Sequence, residues 1–106
     1  MPKYLFQATY IGEGLKGLLK EGGSKRRETV EQMIKGMGGT LEGYYFAFGE
    51  YDSFVIVDLP DNVSTTALAL IVNASGAVKV KTTVLLTPEE VDKATKKSVD
   101  YRPPGR

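Results

Sequence analysis

The sequence feature that most constrains the fold is the recurrence of four segments in which side chains alternate with a period of two residues. These segments span residues 3–11, 40–48, 51–59 and 77–87. Two-residue alternation rich in aromatic and β-branched side chains is typical of β-strands. Only Gly49 and Glu50 separate the second segment from the third, so we predict an antiparallel hairpin there.

Between the first two strands the sequence changes to helical spacing. Residues 12–23 contain five glycines together with leucines at 15, 18 and 19, which predicts a short helical turn. Ser24 is the expected N-cap of a second helix, which Gly38 and Gly39 end. The apolar stripe of that helix consists of Val30, Met33, Ile34 and Met37.

Two further helices are predicted from their start signals. Asp61 or Asn62 can cap a nearly all-apolar helix over residues 65–75, which should pack on the sheet. Thr87 followed by Pro88 is a strong start for a last helix, which fades by Ser98.

The predicted order is therefore β-α-β-β-α-β with a trailing helix, which is the split βαβ arrangement. We predict an α+β, ferredoxin-like antiparallel sheet with both main helices on one face. The chain length fits one domain over residues 1–100, followed by a flexible tail over residues 101–106 that contains two prolines and a glycine.

Composition excludes several kinds of chemistry. The 106 residues include no cysteine and no histidine, which removes thiolate chemistry, cysteine-based metal sites and histidine-based catalytic triads. No carboxylate cluster has metal-ligand spacing, and we expect no cofactor. The net charge of +1 gives no reason to expect nucleic acid or a membrane as a partner. The N-terminus lacks a signal-peptide pattern, and cytoplasmic location is the expectation.

One sheet face has no predicted covering element, yet both alternating sets contain large apolar residues. One set comprises Tyr4, Phe6, Tyr10, Tyr44, Phe46 and Phe48; the other comprises Leu5, Ile11, Leu41, Phe54 and Ile56. Periodicity alone leaves open which set faces the helices. Either way, an apolar patch is left in water, and such patches mark interfaces or ligand sites. We predict self-association into a homodimer or higher homo-oligomer.

Residues 44–61, YYFAFGEYDSFVIVDLPD, resemble the signature of the GYD-domain family, with Gly49, Tyr51 and Asp52 as its namesake residues. Further similar runs extend the resemblance over residues 3–96, although Ile11 and Gly12 stand where similar sequences often have Thr-Pro. The resemblance implies a fold like that of the dimeric α+β barrel proteins, which include small monooxygenases, isomerases and ligand-binding sensor domains. It implies no single activity, because fold and function are separable.

Candidate site residues follow from the aromatic rows, the basic segments and the family signature. Tyr51 and Asp52 are the catalytic candidates, as proton donor and acceptor, although both residues also suit a purely structural turn. The ligand-binding candidates are Tyr10, Lys20, Tyr44, Phe46 and Lys81. Basic residues around Gly22–Ser24 suit an anion at a helix start, or form a solvated face. Lys81 either binds an acidic ligand or protects an edge strand.

Two functional hypotheses remain from the sequence. The first is a non-catalytic, self-associating domain that binds a small molecule or a protein partner. The second is a cofactor-independent enzyme of the dimeric α+β barrel type, using tyrosine, aspartate and lysine near the sheet.

Overall fold

The computed structural model describes residues 1–47 and 49–106 and confirms the α+β, ferredoxin-like prediction. Its elements are β1 (Lys3–Tyr10), α1 (Glu13–Glu21), α2 (Gly23–Gly36), β2 (Thr40–Phe46), β3 (Ser53–Asp58), α3 (Asn62–Ala74), β4 (Val78–Leu85) and α4 (Pro88–Thr95). The strands form one sheet in the order β2-β3-β1-β4, in which every neighbouring pair is antiparallel. The predicted β2–β3 hairpin is confirmed, and Phe48, predicted to belong to β2, lies outside the described residues.

Helix packing decides which alternating set is buried. In β1 the buried residues are Tyr4, Phe6, Ala8 and Tyr10, whereas the residues between them are half-buried. Ile34 from α2 and Leu68 from α3 close the core over this set. The face carrying Leu5 and its neighbours is therefore the one that the chain leaves uncovered, which we call the open face.

A β-bulge in β2 corrects one predicted orientation. Strict alternation places Leu41 on the face opposite Tyr44, but the pairing with β3 shifts between Leu41 and Gly43. Leu41 consequently pairs with Val57 and packs against the core on the same side as Tyr44. An extra residue in one strand reverses the side-chain direction beyond it, which periodicity cannot detect.

The start of α2 also differs from the prediction. Ser24 lies inside α2 and does not cap it, because the helix already begins at Gly23. Gly22 has a φ of 85°, in the left-handed region that glycine tolerates, and its N–H donates to Leu18 O at 2.8 Å. One glycine thus closes α1 and opens α2, so α1 is a nine-residue helix that leads almost directly into α2.

The predicted starts of α3 and α4 are confirmed. Asp61 Oδ1 accepts a hydrogen bond from Ser64 N at 2.7 Å, and this bond lowers the pKa of the Asp61 carboxyl. Thr87 and Glu90 form a reciprocal capping box, with Pro88 in the first turn. Local cap chemistry was therefore sufficient to locate both helix starts.

The C-terminal part of the chain extends away from the domain. The radius of gyration is 16.9 Å, whereas a compact chain of this length has about 13 Å. None of the residues of α4 is buried. The sheet therefore packs against α2 and α3, and α1 joins them through its half-buried Leu18.

A cleft between the sheet and the helices as candidate functional site

A cleft lies between the covered face of the sheet and the helices, and it has two adjoining parts. An inner chamber of about 50 Å³ lies beneath α2 and α3. A vestibule of about 380 Å³ lies among α1, α3 and the start of β4. Arg26, Val72 and Val78 belong to the walls of both parts, so the vestibule is the entrance to the chamber.

The chamber has apolar walls and a small set of polar groups. Its apolar lining includes Phe6, Ala8, Val30, Ile34, Val55 and Leu68. Its polar side chains are Arg26, Tyr44 and Ser53. A mostly apolar pocket with a few polar groups is the usual composition of a small-molecule site.

Ser53 is a buried hydroxyl in this wall. It belongs to the same alternating set as Val55 and Val57, so strand geometry directs it toward the helices. Its exposure is 0%, and its Oγ makes no well-formed hydrogen bond within residues 1–47 and 49–106, although it lies beside the Tyr44 hydroxyl and lowers the pKa of that hydroxyl as a hydrogen-bonding neighbour. A buried hydroxyl without a partner costs about 1–3 kcal/mol, so a ligand that bonds to it would recover that cost.

Arg26 enters the cleft from the first turn of α2. Its position precedes Val30 by four residues and Ile34 by eight, which places all three on one face of the helix. Its Nε is buried without a hydrogen-bond partner among the described residues, and no described carboxylate forms an ion pair with it. A guanidinium stays charged in proteins, so this half-buried side chain brings a positive charge to the cleft without an ion-pair partner among the described residues.

Two tyrosines link the chamber to the vestibule. The hydroxyl oxygens of Tyr10 and Tyr44 lie 2.9 Å apart and share one hydrogen bond. Burial is the main cause that raises the pKa of Tyr44 well above its usual range, and the hydrogen bond to Tyr10 is the second. The Arg26 charge and the neighbouring Ser53 hydroxyl lower this pKa but do not offset the rise. Tyr44 is therefore a neutral phenol at physiological pH. The two hydroxyl groups carry two protons, and only one of these lies in the hydrogen bond between them. The second hydroxyl can therefore donate its proton in a hydrogen bond to a third group.

Phe46 contacts the same cluster. Its ring centroid lies 5.2 Å from that of Tyr44, with 47° between the ring planes. A Cβ added at Gly23 would lie 3.0 Å from the Phe46 ring, so glycine at the start of α2 allows this close approach. Phe46 thus joins β2 to the helix that carries Arg26.

The two residues of the family signature have different surroundings. Asp52 Oδ2 accepts a hydrogen bond from Tyr10 N at 2.9 Å, and Asp52 N donates to Ala8 O at 2.8 Å. Asp52 therefore fixes the end of β1 and positions Tyr10. The ring of Tyr51 lies edge-on to Phe54, at 6.3 Å between centroids, and Phe54 belongs to the open face.

The structure brings some of the predicted site residues together and separates others. Tyr10, Tyr44 and Phe46 form one cluster at the cleft. Lys81 pairs with Gln7 on the open face, so the sheet separates it from the cleft. Lys20 is exposed in the last turn of α1 and lies outside both parts of the cleft.

Arg26 was predicted only as one member of the basic segment around Gly22–Ser24, which suited an anion or a solvated face, and Ser53 was absent from the predicted site residues, although the sequence contains a signal for each. Arg26 continues the Val30–Ile34 stripe with helical spacing, which is unusual for a charged side chain. Ser53 continues an alternating row that is otherwise apolar. In both cases the informative pattern is a polar residue at a position whose periodicity predicts burial.

Two searches of the described residues were negative. Within residues 1–47 and 49–106, no group of three or more acidic side chains is placed to hold a metal ion. In the same part of the chain, no helix has the length and apolar character needed to cross a bilayer.

Element order and strand order together define the chain as a ferredoxin-like α+β domain. The family model described as "GYD domain" matches residues 4–95. This match covers most of the 106 residues, and the chain belongs to the GYD-domain family. No match was found among curated proteins, and none among solved structures.

Proposed function

We propose that this domain self-associates through its open face and binds a small molecule in the cleft on the covered face. The observation that carries the proposal is the set of polar groups in the cleft, above all the fully buried Ser53 hydroxyl. The described residues give this hydroxyl no well-formed hydrogen bond, so a water or a bound molecule in the chamber is needed to satisfy it. The proposal takes a bound molecule as that partner.

The dimensions of the cleft support a ligand of modest size. The chamber is larger than the roughly 10–15 Å³ that one water molecule requires. The vestibule adds about 380 Å³ and has access to solvent between the helices. A small organic molecule can therefore place one end in the chamber and the rest in the vestibule.

The composition of the open face supports a second copy as its partner. Its apolar side chains are Leu5, Phe54 and Ile56 on the two central strands and Tyr45 on the edge strand β2, with Gln7 beside Phe54. Tyr45 is 67% exposed, although aromatic side chains favour burial. An isologous contact would cover these residues in both copies at once.

Charges at the corners of the open face are complementary. Lys79 and Lys81 lie beside the C-terminal half of β1, at one edge of the sheet. Asp58 and Glu42 lie near the N-terminus of β1, toward the other edge, where they share Lys3. The basic and the acidic corner lie at opposite ends of one diagonal of the sheet. If two copies pack face to face about a two-fold axis parallel to the second diagonal, the basic corner of each copy meets the acidic corner of the other.

Light scattering on purified protein at micromolar concentration tests self-association. The wild type should give the mass of a dimer or higher oligomer. Ile56→Asp should give monomer, because it places a charge at the centre of the apolar face. Leu70→Asp is the matched control, since Leu70 is 65% exposed on α3, away from the sheet. A monomeric wild type would contradict the proposal, and dissociation only in Leu70→Asp would place the interface on α3.

Native mass spectrometry of protein purified from its own host tests ligand binding. The expected spectrum shows the intact chain with an additional small organic mass that is released on denaturation. Preparations that repeatedly contain no such mass would contradict the binding proposal.

A cofactor-independent enzyme of the dimeric α+β barrel type, monooxygenase-like or isomerase-like, is the second candidate. It is favoured by the spare proton of the Tyr10–Tyr44 pair beside Arg26. In this function the Tyr44 hydroxyl donates a hydrogen bond to a substrate oxygen, solvent water takes up and returns the proton that leaves the substrate carbon, and Asp52 is a positioning residue that acts through Tyr10. For an isomerase, NMR in D₂O should show protein-dependent deuterium uptake by the retained molecule, lost in Tyr44→Phe. The same uptake rate in Tyr44→Phe would remove Tyr44 from this role.

A further inference from the structure

The polar groups of the inner chamber are biased toward hydrogen-bond donors. Arg26 has only donors, and it forms an ion pair with none of the described carboxylates, although Glu21 lines the vestibule with it. The Ser53 hydroxyl and the spare proton of the Tyr10–Tyr44 pair add two neutral donors. Arg26, Tyr44 and Ser53 all line the inner chamber, so these groups share one location. Such a location favours an oxygen acceptor, and an anionic one most strongly.

The start of α2 contributes to this preference through the Arg26 side chain. Arg26 lies in the first turn of α2, which contains no acidic residue. The free N–H groups of this turn belong to Gly23, Ser24 and Lys25, none of which lines the chamber or the vestibule. The helix terminus alone does not define a site. The buried Ser53 hydroxyl in the same chamber is the independent observation that points to a ligand.

The charged side chains in the walls of the cleft favour a singly charged anion over a doubly charged one. Arg26 is the only cationic side chain among the described residues that line the chamber and the vestibule. Glu21 lies in the vestibule wall and opposes a second negative charge there. One guanidinium balances a monoanion, whereas a phosphate dianion in an apolar chamber would keep uncompensated charge. A carboxylate also has two oxygens in one plane, which suits a guanidinium and a neighbouring hydroxyl.

From these observations we propose that the cleft binds a small organic monocarboxylate. Its carboxylate accepts hydrogen bonds from Arg26 and Ser53, and its short apolar part occupies the chamber against Phe6 and Leu68. Any larger part of the molecule extends into the vestibule. The proposal rests on the proposed binding function and specifies the chemical class of the ligand.

Isothermal titration calorimetry on the full chain, with benzoate and butanoate as probes, tests this class. Benzamide and butanamide are matched neutral probes, and inorganic phosphate represents the alternative anion. The acids should bind at least tenfold more tightly than their amides, because a charged hydrogen bond contributes about 1.5–3 kcal/mol. Phosphate should bind more weakly than either acid.

Variants then assign the interaction to residues. Arg26→Gln should weaken acid binding about tenfold to a hundredfold, and Ser53→Ala about threefold to tenfold. Arg27→Gln removes the same charge from the next position of α2, outside the cleft, and should change binding less than twofold. Circular dichroism checks that each variant is folded. The comparison of acid with amide binding is made in the wild type, so it does not depend on whether any variant folds.

The outcomes separate the class of ligand from binding itself. Amides that bind as tightly as acids would overturn the carboxylate proposal and leave small-molecule binding in place. Phosphate binding stronger than acid binding would also overturn it, as would equal losses in Arg26→Gln and Arg27→Gln. If native mass spectra show a retained molecule while neither acid binds, the carboxylate proposal fails and the proposal of small-molecule binding stands. If no preparation contains a bound small molecule, the proposed binding function itself is contradicted.

Discussion

The two faces of the sheet are built from the same strands but differ in how their polar groups are satisfied. On the covered face, Phe6 is 7% exposed and packs in the core, whereas its neighbour Leu5 is half-buried on the open face. Polar groups of the open face reach solvent or pair with one another, as Lys3 does with Asp58 at 3.0 Å. On the covered face, Ser53 has neither option among the described residues. The open face is therefore consistent with an assembly surface and the covered face with a binding site.

Two tyrosines of β1 show the same contrast within the covered face. Tyr4 and Tyr10 are both buried, at 1% and 7% exposure. The Tyr4 hydroxyl donates to Asn62 Oδ1 at 2.5 Å, so its polar group is satisfied within the fold. The Tyr10 hydroxyl shares a hydrogen bond with the Tyr44 hydroxyl. Beside this pair, Arg26 Nε and Ser53 Oγ make no well-formed hydrogen bond with the described residues. Burial alone does not mark the candidate site; buried donors without acceptors do.

The largest predicted effect compares neighbouring residues on the two faces. Phe6→Ala should lower the free energy of unfolding by about 3–5 kcal/mol, because it removes a buried ring and enlarges the chamber. Leu5→Ala should cost about 1 kcal/mol within one subunit, because its side chain is already partly in water. Urea unfolding of both variants in the Ile56→Asp background, which is expected to be monomeric, measures the difference. Equal losses would contradict the assignment of covered and open faces.

The next effect concerns the residue that positions Tyr10. Asp52→Ala should lower the free energy of unfolding by about 2 kcal/mol, because it removes a charged acceptor from Tyr10 N. Glu50→Ala is the matched control in the same loop and should change stability by less than about 0.5 kcal/mol, since Glu50 is exposed. Urea midpoints determine both values. A neutral Asp52→Ala would show that its hydrogen bond does not hold the end of β1.

A smaller effect is expected at the tyrosine pair. Tyr44→Phe should cost about 1 kcal/mol at neutral pH, because the hydrogen bond to Tyr10 is lost. Its pKa is raised in the folded state, so the contribution of Tyr44 is fully present below the unfolded pKa of about 10. As the pH rises above that value, the unfolded state loses its proton first, and the advantage of the wild type decreases.

Unfolding of wild type and Tyr44→Phe between pH 7 and pH 11 measures this dependence. Absorbance titration of the folded proteins adds a direct readout, since the variant should lack the phenol that ionises last. A stability difference that grows as the pH passes 10 would contradict the predicted sign.

The smallest effect is expected on the open face. Lys3→Gln removes the ion pairs with Asp58 and Glu42, which raise the pKa of Lys3 above the ordinary lysine value of 10.5. The Lys3 contribution is therefore complete below that value and is lost as the pH rises through the folded pKa. Because salt screens such pairs, the loss in Lys3→Gln should be small and should decrease further in 1 M NaCl. Melting temperatures at low and high salt measure it, and a loss independent of salt would contradict an ionic origin.

The order of strands and helices along the chain could be predicted from the sequence because alternation and cap residues are local properties. The buried face could not, since Phe6 and Leu5 both belong to apolar rows and only helix packing distinguishes them. Leu41 was placed on the wrong face because a bulge interrupts the alternation at a point where the sequence shows only Gly43.

The candidate site could be predicted only in part. Tyr10 and Tyr44 were expected in a ligand site, and the structure joins their hydroxyls. Arg26 depends on where α2 begins, which Gly22 determines through its left-handed backbone. Ser53 depends on which strand row is covered. Both residues required the packing of helices on the sheet, which no local pattern specifies.

The central claim is that the two faces of the sheet have separate roles. Native mass spectrometry of wild type, Ile56→Asp and Arg26→Gln, each expressed in the protein's own host, tests it most directly. The predicted spectra show an oligomer with a retained small molecule for the wild type. Ile56→Asp should be a monomer that still retains the molecule, and Arg26→Gln an oligomer that has lost it. If either folded variant loses both the assembly and the molecule, or if the wild type is an empty monomer, the separation of roles is contradicted.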